Sequence, residues 1–510
     1  MNAPGSRKPV SAACNACRRR KVKCNGAQPC PSCVSANLAC TFQLAQKRGG
    51  NQGARATVLN ELRETQRGEV ERQRASSSGD QDASSPIQPN QLEKITIDAC
   101  IVAYISRVHQ IAPFLTRDIL EREAQQTATS LLSRQFIISF CAYVVTFGKV
   151  LDELQSASNI SQNELGKQLL DAAIQIHVTE RVAQPTLQSV FVSFFLYGAL
   201  AGLGNYNQAW FYLREASTLL MMQRVGSLAW GTPGIYTRLY WVVFVSERAH
   251  AIRRTRPVTL QVTPDTPSLD EAEERPLMYL TKIFRPFDDI FFAYWNGARH
   301  DCSKEYLISL DRDVRTALPI SLEVDLSNDQ AANLRVSQLW LRIKLWELFP
   351  RFGFLSSDSV YECLTFRYPL VIARDMMILA TSVPILSFQA HGIGLTEKVF
   401  DVACALTDVL PFISGHSPQV EPGLNDHLAQ ITALLIQLPG GVSRFVPLLL
   451  AKVKELLPGF FQPLCEAIQL PFPFKESPMS PNTLFVYENE VKTSLYAALR
   501  REDGNQSGPT

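Results

Sequence analysis

Residues 14–40 read CNACRRRKVKCNGAQPCPSCVSANLAC, and six of these 27 residues are cysteine. The spacing is C-x2-C-x6-C, then five residues, then C-x2-C-x6-C again. Cys14, Cys17 and Cys24 form one half; Cys30, Cys33 and Cys40 form the other. A unit written twice implies two equivalent half-sites with pseudo-two-fold symmetry. Thiolates at such spacing favour zinc in a tetrahedral sulfur shell. Two separate four-sulfur sites need eight sulfurs, so six cysteines serve two Zn²⁺ ions only if two thiolates bridge. By the symmetry of the repeat, the bridging thiolates are equivalent members of the two halves. A shell closed in this way leaves no position for water, so the metals are structural.

Between the second and third cysteines lies Arg18-Arg-Arg-Lys-Val-Lys23, five cations in six residues. Two Zn²⁺ and six thiolates sum to −2, so the module stays positive. The cations also lower thiolate pKa values. Metal supplies much of the folding energy of such a head, about 10–16 kcal/mol per structural zinc in small peptides. A segment of this size has too little apolar surface to fold otherwise. Residues 1–60 contain ten Lys or Arg and no Asp or Glu, whereas the other 450 residues carry 40 basic and 48 acidic groups. A basic head on a mildly acidic body points to a polyanionic partner.

This segment resembles the fungal six-cysteine binuclear zinc cluster, the DNA-binding domain of fungal transcription factors. The likeness covers residues 14–40 without a gap. It implies that the first and fourth cysteines, Cys14 and Cys30, bridge. One zinc then takes Cys14, Cys17, Cys24 and Cys30, and the other takes Cys30, Cys33, Cys40 and Cys14. Pro29 matches the family proline in the loop joining the halves. The resemblance also implies that Lys21, four residues after the second cysteine, reads a CGG triplet of double-stranded DNA, with Arg20 as its helper. A cation on a long stem suits the guanine O6 and N7 acceptors. Arg18, Arg19 and Lys23 are expected on phosphates, which position without specifying. A short helix over Arg18–Lys23 is expected to present its N-terminal end to the major groove. The same basic run can serve as a nuclear import signal, so the nucleus is the expected location.

The sequence divides into a cluster domain at 10–42, a linker at 43–92 and an α-helical body at 93–510. The linker begins polar, basic and glycine-containing. Val58–Arg67 has a short helical pattern, with Leu59 and Leu62 at a and d positions. Gln66 and Glu69 follow, so no seam of three or four heptads is present, and a homodimer is left open. Residues 75–92 are rich in serine, proline and polar groups and are expected to be disordered.

In the body, Leu239, Val242, Val243, Ser246 and Ala249 or His250 form one stripe at helical spacing. Val336, Leu339, Trp340 and Ile343 form another. Glycine and proline punctuate the body at 231–234, 257–268, 417–423 and 439–441. About fifteen helices and an all-α class follow. Two segments, Gly204–Ala216 and Arg238–Arg248 with the following Arg253, Arg254 and Arg256-Pro257, resemble the middle homology region of fungal transcription factors. That resemblance implies a helical regulatory domain. Physically, the two segments are core helices with Glu–Arg pairs.

The longest charge-free stretch, Val182 to Leu213, has an apolar part of only about 15 residues. A membrane span needs about 20, so this is a core helix and no membrane partner is expected. The N-terminus shows no apolar signal region. A reducing compartment follows, and Cys100, Cys141, Cys302, Cys363, Cys404 and Cys465 are buried thiols rather than disulfides.

No G-x-x-x-x-G-K-[ST], H-E-x-x-H or G-x-S-x-G motif occurs. Gly202-Leu-Gly204 and Gly392-Ile-Gly394 lack the rest of a dinucleotide fingerprint, and His250 is a satisfied core group. Asp265–Glu274 is a solvated loop, not an activation segment. The chain is therefore not an enzyme. It is expected to be a transcription factor of RNA polymerase II genes that contacts the transcription machinery, with activation its commoner mode. A secondary-metabolite gene cluster is the expected target. The alternative is control of sugar or other catabolic genes, with the body acting as a switch for a small-molecule effector.

Overall fold

The computed structural model describes residues 13–36, 38–42, 94–109, 113–147, 161–223, 234–270, 274–322, 326–414 and 424–469. The chain forms two compact units, Met1–Pro86 and Ile87–Thr510. Among the described residues the ordered elements are helices, with no strand. The pattern at Val58–Arg67 and the linker at 75–92 lie outside the described residues.

The first unit contains α1 (Asn15–Arg20) and α2 (Pro31–Val34). Principal helices of the second are α3 (Leu131–Phe147), α4 (Leu187–Gly202), α5 (Tyr206–Met221), α6 (Ile235–Arg254), α7 (Arg275–Phe284), α8 (Asn328–Trp346), α9 (Tyr368–Ser382) and α10 (Gly392–Ser414). Its described residues form nineteen α-helices, against about fifteen expected. The excess comes from pieces such as Glu180–Ala183, Leu348–Arg351 and Ile385–Gln389. One turn of helix is too short for a period of 3.6 to show in a sequence.

Local chemistry starts these helices. Thr186 and Ser189 cap α4 reciprocally: each hydroxyl accepts the other's backbone N–H, at 3.3 and 3.4 Å. Ser327 and Gln330 do the same for α8, at 3.3 and 3.2 Å. At its far end α6 stops on Thr255, a left-handed residue (φ 51°) followed by Arg256-Pro257.

The charge-free stretch becomes α4, with eleven of its sixteen residues buried. No single helix among the described residues is long and apolar enough to cross a membrane. Phe191 and Phe195 of α4 meet Phe114 and the α3 residues Phe136 and Phe140. Ring centroids stand 5.3–6.2 Å apart, mostly tilted or edge-on. Gly198 allows the close approach of α3: a Cβ there would lie 2.4 Å from the Tyr143 ring.

The same core continues around α8, where fourteen of nineteen residues are buried. The expected stripes on α6 and α8 are thus parts of helices enclosed on most sides. Enclosure extends to charge. Arg253 and Arg254 of α6 grip Glu397 of α10 at 2.9 and 2.6 Å, and the Trp340 indole N–H donates to Asp401 at 2.6 Å. Arg248, 1% exposed, donates to the carbonyls of Phe287 and Leu260 and lies over the Phe244 ring at 3.4 Å.

The two segments singled out in the body pack on each other. Arg254 covers Tyr206 at 3.6 Å, and Arg256 covers Trp210 at 4.7 Å while donating to Asn207. Their Glu–Arg pairing runs between helices: Arg181–Glu215, Arg238–Glu274, and the grip on Glu397. His250 is buried as expected but not satisfied, because its Nε2 has no hydrogen-bond partner. Burial, with Arg254, Arg253 and Arg256 nearby, pulls it down to about 3, so it stays neutral. The six scattered cysteines are buried free thiols.

Candidate metal centre and nucleic-acid interface

α1 starts at Cys14. The backbone there is extended (φ −60°, ψ 158°), and the sulfur accepts the Cys17 N–H at 3.4 Å. A thiol thus takes the capping role usually held by an oxygen. The Arg18 N–H closes the first turn on the Cys14 carbonyl at 2.9 Å. Sixteen residues later α2 repeats this start. Cys30 is extended (φ −81°, ψ 152°), and the Val34 N–H bonds its carbonyl at 3.0 Å. Past each helix the chain returns in the same way, Val22 N–H to the Cys17 carbonyl at 3.1 Å and Leu38 N–H to the Cys33 carbonyl at 3.0 Å. The repeat in sequence is therefore a repeat of hydrogen bonds.

The folded halves bring the six sulfurs together. Cys14, Cys17, Cys24 and Cys30 form one set of four, and Cys14, Cys30, Cys33 and Cys40 form another. Within each set the sulfurs lie within 4.8 Å of one another. Cys14 and Cys30 belong to both sets, and their sulfurs are 3.9 Å apart. Zinc–sulfur bonds of about 2.3 Å at the tetrahedral angle separate sulfurs by about 3.8 Å. The Cys14–Cys33 and Cys17–Cys30 distances, 3.6 and 3.5 Å, are close to that spacing.

Backbone N–H groups also suit negative sulfur. Gly26 N–H points at Cys24 at 3.5 Å, and Cys30 N–H points at Cys40 at 3.3 Å. Such a crowd of thiols divides its protons unevenly. For Cys30, burial works upward but is outweighed by the Cys17 thiol and the Cys33 N–H, which bring it to about 6. For Cys17, burial and the thiols of Cys30 and Cys14 together push it to about 12. Metal uptake therefore releases protons. The donor set fits two zinc ions.

The helix carrying the basic run spans Asn15–Arg20, not Arg18–Lys23. It starts earlier because Cys14 caps it. It stops earlier because Lys21 is left-handed (φ 53°, ψ 42°), its N–H bonding the carbonyls of Arg18 and Cys17. Lys21 and Lys23 are exposed on the segment that follows, and Val22 between them packs on the sulfur cluster. Arg18 is exposed on the helix; the Arg19 side chain lies outside the described residues. Arg20 is half-buried and donates from Nη1 to the Ser32 carbonyl of the other half at 3.2 Å.

Two features escaped the sequence reading: the brace from Arg20 and the left-handed turn at Lys21. The second had a faint signal. In the sixteen-residue repeat Lys21 aligns with Asn37, and asparagine tolerates that conformation best after glycine. The two halves differ in surface chemistry, with Arg18–Lys23 facing Val34–Ala39 in the alignment. Only the first half can attract phosphate.

Residues 12–49 match the fungal Zn(2)-Cys(6) binuclear cluster domain. Relatives extend well beyond that head. The maltose fermentation regulatory protein MAL13 of Saccharomyces cerevisiae is 24% identical over 412 residues, covering 78% of this chain and 84% of its own. The probable sucrose utilization protein SUC1 of Candida albicans is 24% identical over 429 residues, 79% of this chain and 80% of its own. The respiratory transcription factor ZNF1 of S. cerevisiae is 21% identical over 412 residues, 78% and 84% of the two chains. These names leave the expected link to secondary metabolism without support; no residue of the chain had pointed to it. A domain of this kind binds two zinc ions, and the six clustered sulfurs are arranged to hold them. The chain thus carries a fungal Zn(2)-Cys(6) binuclear cluster domain and is similar over most of its length to fungal regulatory proteins such as MAL13.

Proposed function

We propose that this transcription factor binds promoters through CGG triplets and controls genes for the use of a sugar such as maltose or sucrose. The observation that carries the DNA-reading part is the asymmetry of the head: two equivalent sulfur half-sites, with free cations on the first alone. In this reading Cys14, Cys17, Cys24 and Cys30 hold one zinc, and Cys14, Cys30, Cys33 and Cys40 hold the other. Lys21 reads guanine. Arg20 supports it from within the fold, because its own guanidinium is braced against Ser32. Arg18, Arg19 and Lys23 neutralise phosphates. The protein acts in the nucleus and, through the helical body, on the transcription machinery of RNA polymerase II. The sugar assignment rests on MAL13 and SUC1, whose similarity runs through most of both chains.

Binding-site selection with the full chain tests the head, and transcript profiling of a deletion strain on maltose, sucrose and glucose tests the pathway. Selected sites are expected to contain CGG. A single triplet marks a monomer and a spaced pair a homodimer. Sites without CGG would remove Lys21 from its role. Sugar-utilisation transcripts unchanged by the deletion would remove the pathway.

A further inference from the structure

Arg444 is 9% exposed, yet among the described residues its Nε and Nη2 find no hydrogen-bond acceptor and no carboxylate pairs with it. Other buried arginines of the body end on acids or carbonyls, as Arg248 and Arg181 do. Burial alone pulls the Arg444 guanidinium down to about 10, with no carboxylate offsetting it. A buried charge without a partner is costly, and proteins seldom retain one idle. The surroundings are shaped to hold it in place. Tyr206 and Phe445 offer ring faces at 4.9 and 5.2 Å. On another side lies Gly204 (φ +84°), where a Cβ would stand 3.4 Å from the guanidinium carbon.

The side chain lines a cavity of about 640 Å³. The N-terminal part of helix Gln162–Gln175 also lines it, contributing Asn163 and Glu164 from the first turn and Lys167 from the second. The positive end of that helix and the ammonium of Lys167, which pairs with no acid among the described residues, add to the field of Arg444. Asn163, Asn205 and Ser443 present amides and a hydroxyl that bond no other described residue. Glu164 is the one acid in the lining; its carboxylate accepts from Gln168 at 3.2 Å and is a second acceptor for a ligand hydroxyl.

We propose that this cavity binds a small phosphorylated polyol, with its phosphate on Arg444 and Lys167 and its hydroxyls on the amide and hydroxyl side chains. Two cations and a helix N-terminus suit a dianion. The volume exceeds the needs of inorganic phosphate alone, and the polar lining suits hydroxyls more than an apolar tail.

The site lies wholly within the body, so its test needs no DNA and can fail independently of the DNA-reading proposal. The full chain is titrated calorimetrically with glucose 6-phosphate, inorganic phosphate and glucose. Glucose 6-phosphate is expected to bind one site, inorganic phosphate more weakly, and glucose not at all. Arg444→Gln, shown folded by circular dichroism, is expected to weaken glucose 6-phosphate about tenfold or more. Lys167→Glu, on an exposed residue, is expected to weaken it also, and it decides the matter if Arg444→Gln does not fold. Absence of heat with glucose 6-phosphate overturns the proposal. So does glucose binding as tightly as its phosphate, or inorganic phosphate binding as tightly as the ester. Unchanged affinity in the folded variants does the same.

Discussion

The head and the body exclude water with different materials. Five of the eight buried residues in the head's core are cysteines, joined by Ala16, Ala36 and Leu38. The body's core is built from large side chains such as Trp295, Trp340, Trp346, Phe191 and Phe195, with arginines and acids threaded between them. Hydrocarbon burial stabilises at roughly 25 cal/mol per Å², so a core of two alanines and a leucine contributes little. The head therefore depends on metal, whereas the body has a hydrocarbon core of its own. The difference also separates two uses of charge. Arg18, Lys21 and Lys23 of the head are exposed, with no acids in residues 1–60 to meet them, while Arg253 and Arg254 of the body are held by Glu397.

The sharpest way to break this contrast is to make the same substitution in both regions. Cys14→Ala removes a sulfur shared by both four-sulfur sets and is expected to abolish DNA binding while leaving the body's helical circular dichroism intact. Cys404→Ala, in the core of α10, is expected to lower stability by about 1–2 kcal/mol and leave DNA binding in place. Nanomolar binding to a CGG duplex by Cys14→Ala would end the shared-sulfur assignment. A zinc chelator is expected to reproduce the Cys14→Ala pattern.

Trp340→Ala attacks the body instead. It empties a fully buried site and takes the indole donor from Asp401, so a loss of about 3–5 kcal/mol in chemical unfolding is expected. A loss under about 1 kcal/mol would show that the α8 core is not what holds the body together.

Two exposed cations of the head give a finer comparison. Lys21→Ala is expected to cost about 1–3 kcal/mol of discrimination at the triplet while weak, salt-sensitive binding remains. Arg18→Ala is expected to weaken all sequences alike and to reduce the salt slope by about 1. Undiminished preference in a selection with Lys21→Ala would move the reading role elsewhere.

The smallest expected effect concerns buried histidines. Burial, with Lys398 nearby, brings His391 down to about 4, although the Asp329 carbonyl works against this. A histidine held below its unfolded value takes up its proton more readily when the chain unfolds. Its contribution to stability is complete above the unfolded pKa and is lost as pH falls toward the folded value. Acidification from about pH 7.5 to 5.5 is expected to remove about 1 kcal/mol through His391, with His250 acting in the same direction. His391→Gln is expected to flatten that dependence; an unchanged melting-temperature profile would assign the acid sensitivity to other groups.

Much of the head was legible because a zinc site is written in spacing. The interval of sixteen residues aligned Cys14 with Cys30, Cys17 with Cys33 and Cys24 with Cys40, the family resemblance singled out the first of these pairs, and the basic run marked one half as cationic. The helix bounds were not legible. The cap is a sulfur, and the stop is a lysine in a conformation that sequence rules give to glycine or asparagine. In the body the all-α class was readable from period, but the partners of its charges were not. Glu–Arg pairs looked local in the segment around Arg238–Arg248. Instead, Arg254 meets Glu397, 143 positions away.

By itself, then, the sequence determined the chemistry that acts over a few residues: six thiols at ligand spacing, five cations between two of them, and helical periodicity beyond residue 93. Tertiary structure decided which of those groups are free. It tied Arg20 to Ser32, left Lys21 and Lys23 exposed, spent Arg253 and Arg254 on Glu397, and buried Arg444 without an ion pair among the described residues. The physical reason is range. Metal ligation and helix formation depend on neighbours a turn or a loop away. The burial and pairing of a charge depend on which distant surfaces pack against it.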